Sequence, residues 1–145
     1  MSTGTGPGPT LLVVDAANVV GSVPDGWWRD RVGATTRLRD TLAATAGAVE
    51  VVLVVEGAAR RVTGVPGARV VAAPGSGDAA VVEVVRTEGP GRDCVVATAD
   101  RELIAQVTAL GARVIGPRAV RSGWTAPDQP GQAGAPAPGT GKEPE

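Results

Sequence analysis

The sequence contains no histidine, tyrosine or phenylalanine, and its single lysine, Lys142, lies near the C-terminus. Without histidine, a serine or cysteine nucleophile lacks its usual general base, and zinc sites of the histidine-containing types cannot be built. The chain also lacks a GxSxG turn, a GK[ST] phosphate loop and a GxGxxG motif after a strand. If the protein is an enzyme, we therefore expect carboxylates to carry the chemistry, most simply by holding magnesium or manganese.

The chain also has little cysteine and a small net charge. The single cysteine, Cys94, excludes an internal disulfide, and its apolar neighbours in RDCVVAT predict a small buried residue. A formal net charge of -1 and 43% apolar residues are typical of a globular chain, and 145 residues suffice for one domain. No apolar stretch is long enough for a membrane span or a signal peptide, so we expect a cytoplasmic protein with no membrane contact.

Strand-like and helix-like segments alternate along the chain. Five short apolar runs predict strands: TLLVVD at 10–15, VEVVLVVEG at 49–57, ARVVAAP at 68–74, DCVVATAD at 93–100 and ARVIGP at 112–117. Three segments predict helices, at 27–47, 77–89 and 101–111, and Trp28, Leu38 and Leu42 lie near helical spacing in the first of them. This alternation predicts an α/β fold with a parallel sheet between helices.

The composition changes near both ends of the chain. From Trp124 onward the sequence is rich in proline, glycine and alanine, which predicts a disordered tail over residues 124–145. Residues 1–9, MSTGTGPGP, predict a flexible N-terminus. The folded domain is therefore expected over residues 10–123.

Four acidic side chains are predicted to meet at one edge of the sheet. Asp15, Glu56 and Asp100 close the first, second and fourth strands, and Asp78 opens the helix after the third strand. In a parallel sheet, the carboxyl ends of the strands and the starts of the following helices share the edge where ligands bind. Asp15 and Asn18 interrupt the apolar run VVDAANVV, and Asn18 is placed to orient the Asp15 carboxylate or a bound water.

Carboxylates that lie close together repel one another, by about 4 kcal/mol for a pair about 4 Å apart at an effective dielectric constant of about 20. A divalent cation would remove this repulsion. Magnesium typically takes one or two protein carboxylates and keeps several waters, and such an ion can activate water for attack on phosphorus. The four acids therefore predict hydrolysis of a phosphodiester bond.

Four stretches of the sequence resemble the NYN domain, the YacP-like branch of the PIN-domain-like nucleases, over about residues 10–122. They are VVDAANVV, VVLVVEG, GSGDAAVVE and VVATADREL, and their order and spacing agree with the family. The resemblance implies a single three-layer α/β/α domain with a five-stranded parallel sheet in the order 3-2-1-4-5. It also implies a divalent-metal-dependent endoribonuclease, with RNA as substrate and Mg²⁺ or Mn²⁺ as cofactor.

The same resemblance implies roles for individual residues. Asp15, Asp78 and Asp100 would be the principal catalytic and metal-binding acids, and Asn18 would be a polar orienting residue of the catalytic site. Glu56 would be a further metal ligand.

The chain departs from the family pattern at two positions, and Glu83 is a weaker candidate. Relatives often have a second acid where this chain has Ala79, and often aspartate where it has Glu56. Glu83 would be an auxiliary group. The departures leave two other functions open: an RNA- or nucleotide-binding module without catalysis, and a nucleoside triphosphate pyrophosphohydrolase that uses the same acids.

Each candidate residue also has a purely structural interpretation. Thr98 or Asp100 could cap the helix that follows, and Asp78 could cap its own helix. Asn18 could form a local turn, and Glu56 could be a solvated loop acid. Their joint location at one edge of the sheet favours a functional site over separate structural roles.

Arginines near the same edge are the candidates for binding phosphate groups of a substrate. They are Arg60, Arg61, Arg101, Arg118 and Arg121. The only aromatic residues are Trp27, Trp28 and Trp124, and at least one of the adjacent pair is expected to face the core. Strong sequence-specific recognition of RNA is therefore not expected, and a homodimer is left open.

Overall fold

A computed structural model describes residues 9–124 of the chain. The predicted flexible N-terminus (residues 1–9) and the predicted disordered tail (residues 124–145) lie outside the described residues except for Pro9 and Trp124. Within residues 9–124, no helix combines the length and the apolar composition needed to cross a membrane.

Five short strands form a single parallel sheet. They are β1 (Leu11–Asp15), β2 (Glu50–Val55), β3 (Arg69–Ala72), β4 (Cys94–Ala97) and β5 (Arg113–Ile115). Their order is β3-β2-β1-β4-β5, which confirms the predicted topology. Every residue of the central β1 is buried, and Val13 pairs with Val52 and Val96 on its two sides. A strand covered on both faces must be apolar along its length, and Leu11–Val14 meet this requirement.

Helices cover both faces of the sheet and complete the three layers. They are α1 (Ala16–Val20), α2 (Arg31–Thr45), α3 (Gly77–Glu88), α4 (Arg101–Ala109) and α5 (Arg118–Arg121). One apolar core contains Leu12 and Leu53 of the sheet with Leu42 of α2, and it includes side chains of α1 and α5. The other core joins Val13 of the sheet to Leu103 of α4 and to side chains of α3. The α/β/α architecture is therefore as predicted.

The segment VVDAANVV contains an element that the sequence did not predict. The predicted first strand ends at Asp15, as observed, but the residues that follow it form the short helix α1. Ala16, Val19 and Val20 are buried, so the helical turn adds apolar side chains to the core. Valine favours strands and the helix has only five residues, which explains why its periodicity is not visible in the sequence.

The long helix predicted over residues 27–47 is divided in two. Trp27–Arg29 form a turn of 3₁₀ helix, and α2 begins after Asp30, whose Oδ1 accepts a hydrogen bond from the Gly33 N–H at 2.9 Å. This side-chain cap satisfies one of the free N–H groups at the helix start. Trp28, which lies near helical spacing with Leu38 and Leu42 in the sequence, is 51% exposed, whereas Trp27 packs against the core. One of the two indoles therefore faces the core, as expected.

The folded part of the chain extends to Trp124, which the composition assigned to the tail. The backbone N–H of Trp124 donates to Thr45 Oγ1 at 3.1 Å, and its side chain packs against the core. Gly123, just before it, has a φ of 104°, and a Cβ at this position would collide with Thr45. Glycine therefore permits the turn that brings Trp124 onto α2.

Candidate functional site

Four carboxylates lie around the carboxyl end of the sheet. Asp15 is the last residue of β1, Glu56 follows β2, Asp78 lies in the first turn of α3, and Asp100 precedes α4. Because all five strands run in the same direction, these positions share one edge. The negative charges of Glu56 and Asp100 act on Asp15, and those of Asp15, Glu56 and Asp100 act on Asp78, so the four acids form one electrostatic group.

Asp15 is the buried member of this group, with 5% of its surface exposed. Thr98 Oγ1 donates a hydrogen bond to Asp15 Oδ2 at 3.0 Å. Burial raises the pKa of the Asp15 carboxyl, because desolvation disfavours the charged form. The Thr98 hydroxyl and the backbone N–H of Asn18 oppose this rise, and the charges of Glu56 and Asp100 add to it.

The Thr98 hydroxyl also connects Asp15 to the loop that carries Asp100. Thr98 is 1% exposed, and its Oγ1 accepts a hydrogen bond from the Asp100 N–H at 3.1 Å. A single buried hydroxyl therefore fixes both acids relative to each other. In the sequence, Thr98 is interpreted as a possible cap of the next helix, and its contact with Asp15 is not predicted.

Asp100 itself caps α4. Its Oδ1 accepts hydrogen bonds from the N–H groups of Glu102 and Leu103, at 3.0 and 3.2 Å. The capping interpretation is therefore correct for Asp100, but it uses only one carboxylate oxygen. Within residues 9–124, no N–H or hydroxyl group donates a hydrogen bond to Oδ2.

Asp78 does not cap its helix, because Ser76 does. Ser76 Oγ accepts a hydrogen bond from the Ala79 N–H at 3.3 Å. Burial and the negative charges of Asp100, Asp15 and Glu56 raise the pKa of Asp78 to about 6. The carboxyl groups of Asp78 and Asp100 lie within reach of a hydrogen bond, which contributes to the same rise in the pKa of Asp78.

Glu56 connects the end of β2 to the start of α3. Its Oε1 accepts a hydrogen bond from the Gly77 N–H, and a Cβ at Gly77 would lie 2.9 Å from the same oxygen. The Glu56 side chain is therefore fixed in the site by a hydrogen bond, and it is not a solvated loop acid. Glu83 lies further along α3, is exposed, and pairs with Arg86 at 2.5 Å. Glu83 does not contribute to the raised pKa of either Asp15 or Asp78.

Asn18 acts on the site through the backbone. Its Oδ1 accepts a hydrogen bond from the Ala99 N–H at 2.8 Å, which fastens α1 to the loop between β4 and α4. The side chain therefore orients the loop that carries Asp100, whereas the sequence suggested that it would orient the Asp15 carboxylate. Asn18 affects Asp15 through its backbone N–H.

The four acids have no cationic partners among the described residues. None of Asp15, Glu56, Asp78 and Asp100 forms a salt bridge within residues 9–124. In the same range, no three acidic, histidine or cysteine side chains are arranged as a compact metal site. The donor chemistry nevertheless fits magnesium or manganese, since such an ion takes one or two protein carboxylates and completes its shell with water or substrate oxygens. The carboxyl pair of Asp78 and Asp100 meets that requirement.

The arginines predicted to bind substrate fall into two groups. Arg60, Arg61, Arg101 and Arg118 are exposed, and none of them forms a salt bridge in the described part of the chain. Arg121 is different, because it pairs with Asp25 at 2.9 Å and donates to the carbonyl oxygens of Val19 and Val20. Arg121 therefore stabilises the C-terminal end of α1.

Comparison with known proteins supports the predicted fold. No family model and no curated protein sequence matches the chain. The chain is similar to the crystal structure of Rae1 (YacP) from Bacillus subtilis, solved as a W164L mutant, with 19% sequence identity and a TM-score of 0.60. The match covers 75% of this chain and 70% of that chain. At this identity the likeness concerns the fold alone, and it confirms the YacP-like fold predicted from the sequence.

Proposed function

We propose that the protein is a divalent-metal-dependent endoribonuclease that hydrolyses phosphodiester bonds of RNA. The observation that carries the proposal is the group of four carboxylates at one edge of the sheet, which no arginine or lysine of the described residues neutralises. A protein retains such mutual repulsion at a cost in stability, and perturbed acids in one place are typical of functional sites. The YacP-like fold adds a nuclease-like scaffold to this argument.

Each acid has a distinct task in this proposal. Bound Mg²⁺ or Mn²⁺ would supply the activation of water and the neutralisation of phosphate charge. Asp78 and Asp100 would hold the ion, Asp15 would complete the site from the end of β1, and Glu56 would do so from the end of β2. The two hydrogen bonds of the Thr98 hydroxyl fix the position of Asp15 relative to Asp100.

RNA enters the proposal through the resemblance of the sequence to NYN domains and through the exposed arginines. Arg60, Arg61, Arg101 and Arg118 are available to hold the phosphate backbone, since guanidinium groups bind phosphate oxygens in pairs. Cytoplasmic location and a homodimer stay predictions from the sequence.

Binding of RNA or a nucleotide without cleavage is the second candidate function. It is favoured by the absence of a compact three-acid metal cluster in residues 9–124 and by Ala79, which stands where relatives often have an acid. The pyrophosphohydrolase alternative uses the same acids, so turnover of nucleoside triphosphates should be measured beside RNA cleavage.

The test uses the full chain, a labelled single-stranded RNA and Mn²⁺, with and without Asp100→Asn. Asparagine caps helices as well as aspartate does, so this variant should keep α4 while it removes a ligand charge. We expect cleavage to fall at least about 100-fold, since even residues that only support a metal ligand contribute about 10- to 100-fold. Asp93→Asn, at the opposite end of β4, is the matched control and should cleave at the wild-type rate.

Two results would contradict the nuclease proposal. Equal cleavage by Asp100→Asn and the wild type would place the activity elsewhere or in a contaminant. RNA binding without cleavage under Mg²⁺ and Mn²⁺ would favour the binding module.

A further inference from the structure

A cavity of about 240 Å³ adjoins the carboxylate site on the side of α1 and α2. Its walls include Ala17 and Val20 of α1, Arg31 and Thr35 of α2, and the 3₁₀ turn at Trp27. Glu56 lines it as well, so one side chain belongs to both the cavity and the acidic group. The volume lies below the roughly 300–1,000 Å³ of pockets for drug-sized molecules and suits a single ring system.

An aromatic ring and a cation form one part of the cavity wall. The Arg31 guanidinium lies over the Trp27 ring, with Cζ 5.2 Å from the ring centroid. Trp28 stands at 88° to Trp27 with its centroid 5.9 Å away, which supports the Trp27 ring from another side. Stacked indole and guanidinium planes are the surfaces on which single-stranded nucleic acids place their bases.

A buried hydroxyl without a protein partner also lines the cavity. Thr35 is 3% exposed, and within residues 9–124 its hydroxyl makes no hydrogen bond to a protein group. The adjacent Thr36 is different, since its Oγ1 donates to the Val32 carbonyl oxygen at 2.7 Å. Buried polar groups are normally hydrogen-bonded, so the Thr35 hydroxyl indicates a ligand or a water in the cavity.

We propose that this cavity binds one nucleobase of the substrate RNA, next to the phosphodiester that a bound cation would hold at the carboxylates, and that it prefers guanine. Glu56 accepts hydrogen bonds, which matches the N–H groups of guanine, while Arg31 donates them, which matches its carbonyl oxygen and ring nitrogen. Trp27 adds stacking, and Thr35 can donate or accept. This inference rests on the proposed function, which supplies RNA as the ligand. It predicts a base preference at one nucleotide only.

The test measures binding without cleavage. The full chain is titrated, in a chelator that removes divalent cations, into a labelled five-nucleotide RNA that has one guanosine between uridines. The all-uridine RNA of the same length is the comparison. A good two-point base contact discriminates by about 1–3 kcal/mol, so we expect about 5- to 140-fold tighter binding of the RNA with guanosine.

The chain offers a matched control for each wall of the cavity. Arg31→Met should abolish most of the guanosine preference, whereas Arg29→Met should not, although Arg29 lies over the neighbouring Trp28 at 5.8 Å in the same manner. Thr35→Val should weaken binding of the guanosine RNA, whereas Thr36→Val should leave it unchanged. Thr→Val keeps the side-chain size nearly constant, Arg→Met keeps an unbranched side chain without the guanidinium, and circular dichroism checks that each variant is folded.

The outcomes separate this inference from the nuclease proposal. Equal affinity for the two RNAs, or equal effects of Arg31→Met and Arg29→Met, would overturn the base-binding cavity even if the wild type cleaves RNA with Mn²⁺. A guanosine preference that depends on Arg31 and Thr35, in a protein that cleaves nothing, would support the cavity and contradict the nuclease. Failure to bind either RNA would overturn the cavity, and cleavage by the wild type would then decide the nuclease separately.

Discussion

The two ends of the parallel sheet treat their acidic side chains in opposite ways. At the amino end, Glu50 pairs with Arg92 at 2.9 Å and with Arg69 at 3.5 Å, and Asp93 pairs with Arg113 at 2.8 Å. At the carboxyl end, none of the four acids has such a partner in residues 9–124. The same chain therefore neutralises acids at one edge and leaves them unneutralised at the other.

The pKa values of three aspartates express this contrast. Hydrogen bonding to Arg113 lowers the pKa of Asp93 below its usual value. Burial, together with neighbouring negative charge, raises the pKa of Asp15 and of Asp78. A paired acid stabilises the folded state at neutral pH, and a desolvated acid among other acids destabilises it. The paired acids at the amino edge thus stabilise the folded state. The unpaired acids at the carboxyl edge destabilise it, and a bound cation would remove this destabilisation.

The largest effect that we expect is stabilisation of the carboxyl edge by a divalent cation. Saturating Mg²⁺ or Mn²⁺ should raise the free energy of unfolding by about 2.7 kcal/mol at about 100 times the Kd of the ion. This corresponds to about 10 °C in Tm for a domain of this size. Thermal unfolding followed by circular dichroism, before and after addition of a chelator, measures the change.

Two variants test whether the ion binds at the carboxyl edge or at the amino edge of the sheet. Asp100→Asn should lose most of the rise in Tm, because it removes a carboxylate of the site. Asp93→Asn should keep the rise. A rise that survives in Asp100→Asn would show that the ion binds elsewhere.

A smaller effect is expected when the repulsion is removed directly. Asp78→Asn should raise the free energy of unfolding by about 1 kcal/mol at pH 7.5 in a chelator, once solvent screening is allowed for. The folded pKa of Asp78, about 6, lies above the usual aspartate value of 3.8. The wild type therefore loses stability as the pH rises through this interval, and the advantage of the variant should shrink as the pH falls toward 4. Denaturant unfolding at several pH values tests this, and a variant less stable than the wild type at pH 7.5 would refute it.

The smallest effect is expected at the amino edge, with the opposite sign. Asp93→Asn should lower the free energy of unfolding by about 0.2–1 kcal/mol at neutral pH, the usual range for an exposed ion pair. Because the folded pKa of Asp93 is lowered, its contribution is present above the unfolded pKa and is lost as the pH falls through the folded one. High salt should also reduce the difference. An Asp93→Asn variant that is as stable as the wild type in low salt at pH 7 would remove the contrast between the two edges.

The positions of Asp15, Glu56 and Asp100 could be predicted because each follows a run of apolar residues that only a buried strand explains. The role of Asp78 could not be separated from capping in the sequence, since both Ser76 and Asp78 are good helix caps. Only the fold assigns the cap to Ser76 and leaves the Asp78 carboxylate free to interact with Asp100.

The short helix and the individual long-range hydrogen bonds could not be predicted from the sequence. Helix α1 is too short for a helical period, and its valines favour a strand. Asn18 bonds to the loop before α4, and Thr98 joins Asp15 to Asp100, across more than 80 residues of chain. No local pattern in the sequence can predict which distant groups such side chains meet.

The sequence by itself determined the alternation of apolar strands and helices, and hence the parallel sheet with acids at its carboxyl edge. This information is local, because it depends on the spacing of apolar residues along short segments. The tertiary structure decided which acids lie close enough to repel one another and which accept hydrogen bonds from backbone groups. It also decided that Trp27, Arg31 and Thr35 line one cavity with Glu56. Those relations arise only when separate elements pack together, since burial and the distance between charges set the energies of the site.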